Sequence, residues 1–176
     1  MPDEQSRKTR FYLPISGMDE YFRELRGVKA VLQRVDKAAI TVDRRLISTI
    51  GKGLLVFLGI QRGDQPADAD YLLEKIINLR IYEDAEGKMN LSLCDIAGEM
   101  AVVSQFTLLG DCRKGRRPSF TCAEEPGLAK SLYDYFIAEA AARIECVRGG
   151  EFQAMMKVEL VNDGPVTIIL DSKKFI

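Results

Sequence analysis

The sequence predicts an α/β fold, a mixed β-sheet with two main helices packed on one side, and three features predict it. Short alternating segments rich in β-branched residues crowd the region before Gly51. Two stretches of helical apolar spacing follow, one after Pro66 and one after Pro126, and strand-like segments return near the end.

Residues 1–27 read as an N-terminal extension, charged and without sustained alternation, with a short helix expected over Met18 to Arg26. Residues 28–176 form a single domain. Its first strand is expected over Val28 to Val35, a second over Ala38 to Val42, and a third over Leu46 to Ile50 after a tight turn at Asp43-Arg44-Arg45, an antiparallel meander. Leu54 to Ile60 is a continuous apolar run and should be central, buried on both faces. Pro66 opens a helix whose stripe is Tyr71, Leu72, Ile76 and Leu79. Ile81-Tyr82 is extended, Asp84 to Gly87 turns, and Met89 to Leu93 is extended again before a strand over Met100 to Leu108. Glu124-Glu125-Pro126 begins the second helix, its two acids favoured by the helix dipole and its apolar face made of Leu128, Leu132, Tyr135 and Phe136. Ile144 to Arg148, Met156 to Val161 and Val166 to Leu170 are the returning strands, the last two separated by Asn162-Asp163-Gly164-Pro165.

Composition narrows the chemistry. At 176 residues, 47% hydrophobic and 29% charged, the chain is long enough for one buried core. Lysine and arginine number 25 against 26 acids, a formal charge of −1, so a nucleic-acid partner must be held by a local patch. Histidine is absent, which removes Ser-His-Asp and Cys-His hydrolases and most zinc hydrolases. Cys94, Cys112, Cys122 and Cys146 lack CxxC spacing and read as reduced thiols, with Cys112 the reactive candidate because cations surround it. No metal and no cofactor is expected. No apolar run nears the about 18 residues of a membrane span, and the acids among Met1 to Glu20 predict neither a secretory signal nor a mitochondrial presequence, so cytoplasm is the default address.

The most informative segment runs from Ser104 to Phe120. Here an apolar strand passes into the polar groups of Ser104, Gln105 and Thr107 and then into a loop in which Arg113, Lys114, Arg116 and Arg117 surround Gly115. Such a loop is either a solvated surface or, beside a polar strand end, a phosphate-binding arm; if all four cations engage phosphates, the salt slope of binding is on the order of −3. Ser104 to Thr107 are likewise either a strand becoming polar as it leaves the core or a small site. On a strand, Gln105 and Thr107 would face one way and Ser104 and Phe106 the other, so no side-chain triad follows, and neither hydroxyl has an imidazole to take its proton. The Asn162 to Pro165 segment is an ordinary turn or a special one, since a Gly-Pro bond is cis at modest cost.

Together these segments resemble the D-aminoacyl-tRNA deacylase family in its bacterial and eukaryotic form. Ser104-Gln105-Phe106-Thr107-Leu108 is similar to the family's SQFTL motif and Asn162-Asp163-Gly164-Pro165-Val166-Thr167 to its NxGPxT motif. Leu32-Gln33-Arg34-Val35, Lys88-Met89-Asn90-Leu91-Ser92-Leu93 and residues 113–120 also match, whereas Leu109 and Cys112 depart from the usual aromatic and threonine. The resemblance covers residues 28–172.

It implies a barrel-like three-layer β/β/α fold and hydrolysis of the ester joining a D-amino acid to the 3′ adenosine of tRNA, with glycyl-tRNA mischarged on a non-cognate tRNA as a further substrate. It also implies a homodimer in which Gly164 and Pro165, joined by a cis peptide, reach into the partner's site. Ser104, Gln105, Phe106 and Thr107 then form the catalytic pocket around the adenosine and carbonyl. Asn162, Gly164 and Pro165 bind the substrate and reject L-aminoacyl esters, and Arg113, Lys114, Arg116 and Arg117 hold the tRNA. Backbone N–H groups near Phe106 and Thr107 are oxyanion candidates, and the adenosine's own 2′-OH assists. The alternatives are a sister deacylase that removes L-alanine from threonine tRNA, against which Ser104-Gln105-Phe106 and Asn162 argue, and a non-catalytic tRNA-binding module using the cationic loop alone.

Overall fold

The computed structural model describes residues 27–174 except residue 114; the helix expected over Met18 to Arg26, the extension to which it belongs and the side chain of Lys114 therefore lie outside the described residues. Among the described residues, eight strands and two α-helices follow in the order β1 (Lys29–Val42), β2 (Arg45–Ile50), β3 (Gly53–Gly59), α1 (Pro66–Asn78), β4 (Tyr82–Glu83), β5 (Met89–Leu91), β6 (Glu99–Ser104), α2 (Pro126–Ala141), β7 (Val147–Gly149) and β8 (Met156–Asp171), with a short 3-10 helix over Phe106–Leu109.

The main sheet has the order β2-β1-β3-β6-β7, with β8 paired to β1. Pairing is antiparallel among β1, β2, β3 and β8 and parallel for β3–β6 and β6–β7. Parallel neighbours require crossovers, and α1 and α2 lie on those two crossovers, which explains why the sheet is mixed. The expected α/β fold with two helices on one side is thus present.

The central strand is the one the apolar run predicted. Leu54, Leu55 and Val56 are completely buried because β3 has a core on each face. On one face Leu54, Val56, Leu58, Met100 and Val102 meet Leu72, Leu73 and Ile76 of α1 and Leu132, Tyr133 and Phe136 of α2. On the other, Leu55, Ala101 and Val103 meet Val35, Ala38, Ile40 and Ile50. Each such fully buried side chain contributes roughly 1.5–3 kcal/mol. The sheet curls until its edges approach: Ser48 Oγ of β2 donates to the Gly149 carbonyl of β7 at 3.1 Å, and Arg45 pairs with Glu151 at 2.9 Å.

Several expected elements come out differently. The strands over Val28–Val35 and Ala38–Val42 are one strand, because β8 pairs with β1 on both sides of Asp36 and spans the gap with a register shift. The meander is therefore a two-strand hairpin, turned by Asp43 and Arg44 at φ 48° and 65°. Asn162 to Pro165 is not a terminating turn but a bulge inside β8: between the pairs Gln33–Thr167 and Val35–Asn162, β1 advances two residues while β8 advances five. The strand expected to reach Leu108 stops at Ser104, since its partners β3 and β7 end at Gly59 and Gly149 and the ladder has nothing further to bond. On α2, Leu128 of the expected apolar face is exposed and Tyr135 only half-buried, whereas Tyr133, not expected on that face, is buried. The Tyr133 hydroxyl donates to the Val102 carbonyl at 2.8 Å and accepts the Gly150 N–H at 3.0 Å. Burial, the larger effect, pushes its pKa up to about 12.

Candidate active site

In sheets with parallel strands, ligands bind beyond the carboxyl ends of the strands, where the chain diverges into loops. Here β3 and β6 run parallel and end together at Leu58 and Ser104. The last main-chain bond is donated by the Gln105 N–H to the Leu58 carbonyl at 2.8 Å, after which the chain coils into the 3-10 helix. Phe106 and Thr107 open that helix, whose first N–H groups have no partner within it.

A cavity of about 670 Å³ opens at this point. One wall is Ser104, Gln105, Phe106 and Thr107, and another is the turn Phe152-Gln153-Ala154-Met155 leading into β8. Leu58, Ile60, Val103, Ala123, Glu124, Pro126, Ala129, Met156 and Val158 complete the lining. All four residues of the strand-end motif therefore share one cavity. Their relation is not the strand alternation expected from the sequence: Gln105 and Thr107 lie on a helical turn, and the Gln105 amide Nε2 donates to Thr107 Oγ1. The Phe106 ring is 55% exposed and stacks edge-on against Phe120, centroids 5.1 Å apart.

That ring contact joins the cavity to the cationic loop. Asp111 and Ser119 exchange main-chain hydrogen bonds of 2.8 and 3.0 Å, closing the loop at its base, and Gly115 at φ 71° occupies the tip in the conformation that favours glycine. Arg113 is held to Asp111, Nε to Oδ1 at 2.8 Å and Nη2 to Oδ2 at 2.7 Å, so part of its charge is offset. Arg116, Arg117 and Cys112 are exposed.

Gly164 and Pro165 lie elsewhere. They are exposed in the β8 bulge, are joined by a cis peptide bond, and do not line the cavity of their own chain. The bulge is held by Arg34, a residue the sequence reading quoted only within a motif. Arg34 is 4% exposed; its Nε donates to the Asp163 carbonyl at 3.2 Å and pairs with Asp163 Oδ2 at 3.1 Å, and its Nη1 donates to the Ile81 carbonyl at 2.5 Å. The guanidinium also sits over the Tyr82 ring, 5.8 Å from its centroid. Asn162 Nδ2 donates to the Arg34 carbonyl at 2.8 Å, which makes Asn162 an anchor of the bulge. Gly164 has φ 124°, and a Cβ there would stand 2.8 Å from Arg34 Nη2. A cation at a buried position of an alternating strand was the one sign in the sequence that Arg34 needed an acid opposite; the turn at Phe152 to Met155 left no sign.

Beside the cavity, the β3–α1 loop carries Asp64. Its Oδ2 accepts the Gln61 N–H at 2.7 Å, while Oδ1 is buried without a partner among the described residues. Desolvation is the main cause that raises its pKa to about 7. Gln61 in turn bridges to Ala123 at the cavity edge. Among the described residues, no three His, Cys, Asp or Glu side chains are grouped as metal ligands, and no helix is long and apolar enough to cross a membrane.

Three kinds of comparison bear on this site. The family described as D-Tyr-tRNA(Tyr) deacylase matches residues 31–171. A D-aminoacyl-tRNA deacylase of Syntrophus aciditrophicus (strain SB) is 67% identical over 147 residues, spanning 84% of this chain and 99% of that protein. A solved structure described as a c-Myc DNA unwinding element binding protein superposes with a TM-score of 0.77 at 41% identity, covering 81% of this chain and 97% of the other. A probable eukaryotic D-amino acid tRNA deacylase shares the fold at a TM-score of 0.71 and 17% identity, over 82% and 98% of the two chains.

Proposed function

This chain belongs to the D-Tyr-tRNA(Tyr) deacylase family and is a D-aminoacyl-tRNA deacylase, a hydrolase; from that premise we propose that it sorts mirror-image esters with main chain rather than with a reactive side chain. The observation that carries this reading is the turn of Ser104 to Thr107 out of β6 into a 3-10 helix at the mouth of the cavity. An aminoacyl ester is already activated, so positioned water and an oxyanion site suffice. The N–H groups of Phe106 and Thr107 serve as oxyanion donors, the terminal adenosine lies along Ser104 to Thr107, and its 2′-OH assists. A protein without histidine is suited to such a reaction.

Gly164 and Pro165 supply the chiral filter from the second subunit of a homodimer. Their carbonyls receive the substrate ammonium, so an L side chain is driven into backbone while a D side chain points to open space, and specificity comes from exclusion. Glycyl esters, having no side chain, pass the same filter. Asn162 and Arg34 hold the filter in place, and Arg116 and Arg117, with Arg113 and Lys114, contact the phosphates of the acceptor arm. The reaction takes place in the cytoplasm.

One assay tests the reading: purified protein is mixed with D-tyrosyl-, L-tyrosyl-, glycyl- and mischarged L-alanyl-tRNA in the presence of a chelator, and ester loss is followed. Hydrolysis of the D-tyrosyl and glycyl esters alone is expected. Release of L-alanine would select the sister editing activity, and binding without ester loss would select a non-catalytic module.

A further inference from the structure

The turn after β7 contains an anomaly. Ala154 N–H donates to the Glu151 carbonyl at 3.2 Å, closing a four-residue turn in which Gln153 holds the third position at φ 63°. A positive φ at that position is the type II pattern, for which glycine or asparagine is the usual occupant. Non-glycine residues held in such conformations cluster at active sites and ligand clamps. Gln153 lines the same cavity as the strand-end motif.

The longer polar side chains that share the lining with Gln153 are already engaged. The Gln105 amide donates to Thr107, and Glu124 accepts the N–H groups of Gly63 and Glu125 at 2.9 and 2.8 Å. The Gln153 amide has no hydrogen-bond partner among the described residues and is exposed. It presents a donor and an acceptor side by side, the arrangement that pairs with N7 and the N6 amine of adenine. Phe152 beside it and Phe106 of the strand-end motif, both in the lining, supply flat apolar surface for a base.

We propose that Gln153 is a specificity-determining residue that reads the Hoogsteen edge of the terminal adenine of the acceptor end through its side-chain amide. This rests on the deacylase reading above and adds to it a base contact made by this chain's own side chain.

The test uses the full chain and two D-tyrosyl acceptor-end substrates, one ending in adenosine and one in 7-deazaadenosine, which lacks the N7 acceptor. For the wild type, KM should rise about tenfold on deaza substitution, the discrimination expected of one lost contact of a bidentate pair. In Gln153→Gly, which suits φ 63°, KM for adenosine should rise to near the deaza value. The deaza change should then have no further effect, and kcat should hold within about twofold. Gln153→Asn should recover part of the discrimination. A wild type indifferent to N7, or a glycine variant that keeps the full penalty, would overturn the proposal while leaving the deacylase reading intact. A wild type that hydrolyses neither ester would sink that reading and this one together.

Discussion

At the scale of the residue, Thr107 is the group most easily mistaken for a nucleophile. Its hydroxyl accepts a hydrogen bond from Gln105, and the sequence holds no imidazole to receive its proton. Loss of a true nucleophile costs on the order of a million-fold in kcat, whereas loss of a positioning hydroxyl costs far less. Thr107→Ala should therefore keep kcat/KM for D-tyrosyl-tRNA within about tenfold of the wild type by steady-state deacylation, and a collapse to background would restore the threonine as an attacking group. Ser104 to Thr107 were legible in the sequence because polar groups directly after an apolar strand mark the place where the chain leaves the core. Arg34 was not, since the acid that answers its charge lies 129 residues away in sequence, and periodicity reports only near neighbours.

At the scale of the element, the sequence shows which segments are apolar but not which partner each will meet. The expected breaks at Asp36-Lys37 and at Asn162 to Pro165 failed for one reason: β1 and β8 pair on both sides of each irregularity, so the polar residues there become bulges inside two long strands rather than strand ends. The expected run to Leu108 failed in the opposite way, for want of a partner. Two predictions belong here. Asp64 in the β3–α1 loop keeps its proton to about pH 7 when folded, mainly through burial, whereas the unfolded chain releases it near 3.8. Asp68, Lys173 and Asp171 also act on it. Between those values the folded state binds the extra proton, so stability falls as pH rises through the window and levels off above it. Asp64→Asn, which keeps an acceptor for Gln61, should raise Tm little at pH 5 and more at pH 8, by a stability gain on the order of 2 kcal/mol at the higher pH; equal shifts at both values in thermal melts would count against a buried, protonated Asp64. In the cationic loop, Arg113 is tied to Asp111 while Arg116 and Arg117 are exposed. Arg116→Ala and Arg117→Ala should each reduce the salt slope of tRNA binding by about one, and Arg113→Ala by less. Fluorescence titration across ionic strength would decide it, an unchanged slope meaning that the loop only meets solvent.

At the scale of the whole molecule, the proposed chiral filter calls for a second chain. The cavity and the Gly164-Pro165 bulge occupy different parts of the same chain, yet the proposed filter must stand over the ester. Strand β8 also has a long edge that pairs with no strand among the described residues, and it exposes Val161 at 43% and Ile169 at 58%. Such an edge invites a partner strand or an apolar cover. The proposed two-fold dimer would satisfy both needs, because the same patch would be offered twice and each bulge could face the other chain's cavity. The purified protein should therefore sediment at about twice 19.7 kDa, and Ile169→Asp, at a position that tolerates charge in the isolated chain, should halve the mass and abolish deacylation. Complementation separates a shared site from mere association. Gly164→Val ruins the bulge, since φ 124° and the nearby Arg34 leave no room for a branched side chain, but leaves the cavity whole. A Gln105→Ala, Phe106→Ala variant ruins the cavity but leaves the bulge whole. If the bulge serves its own chain, every site in a mixed dimer is dead; if it serves the partner, each mixed dimer carries one intact site, and random pairing of equal amounts restores about a quarter of wild-type activity. Recovery near zero, with mixed dimers demonstrated by mass, would return the filter to its own subunit.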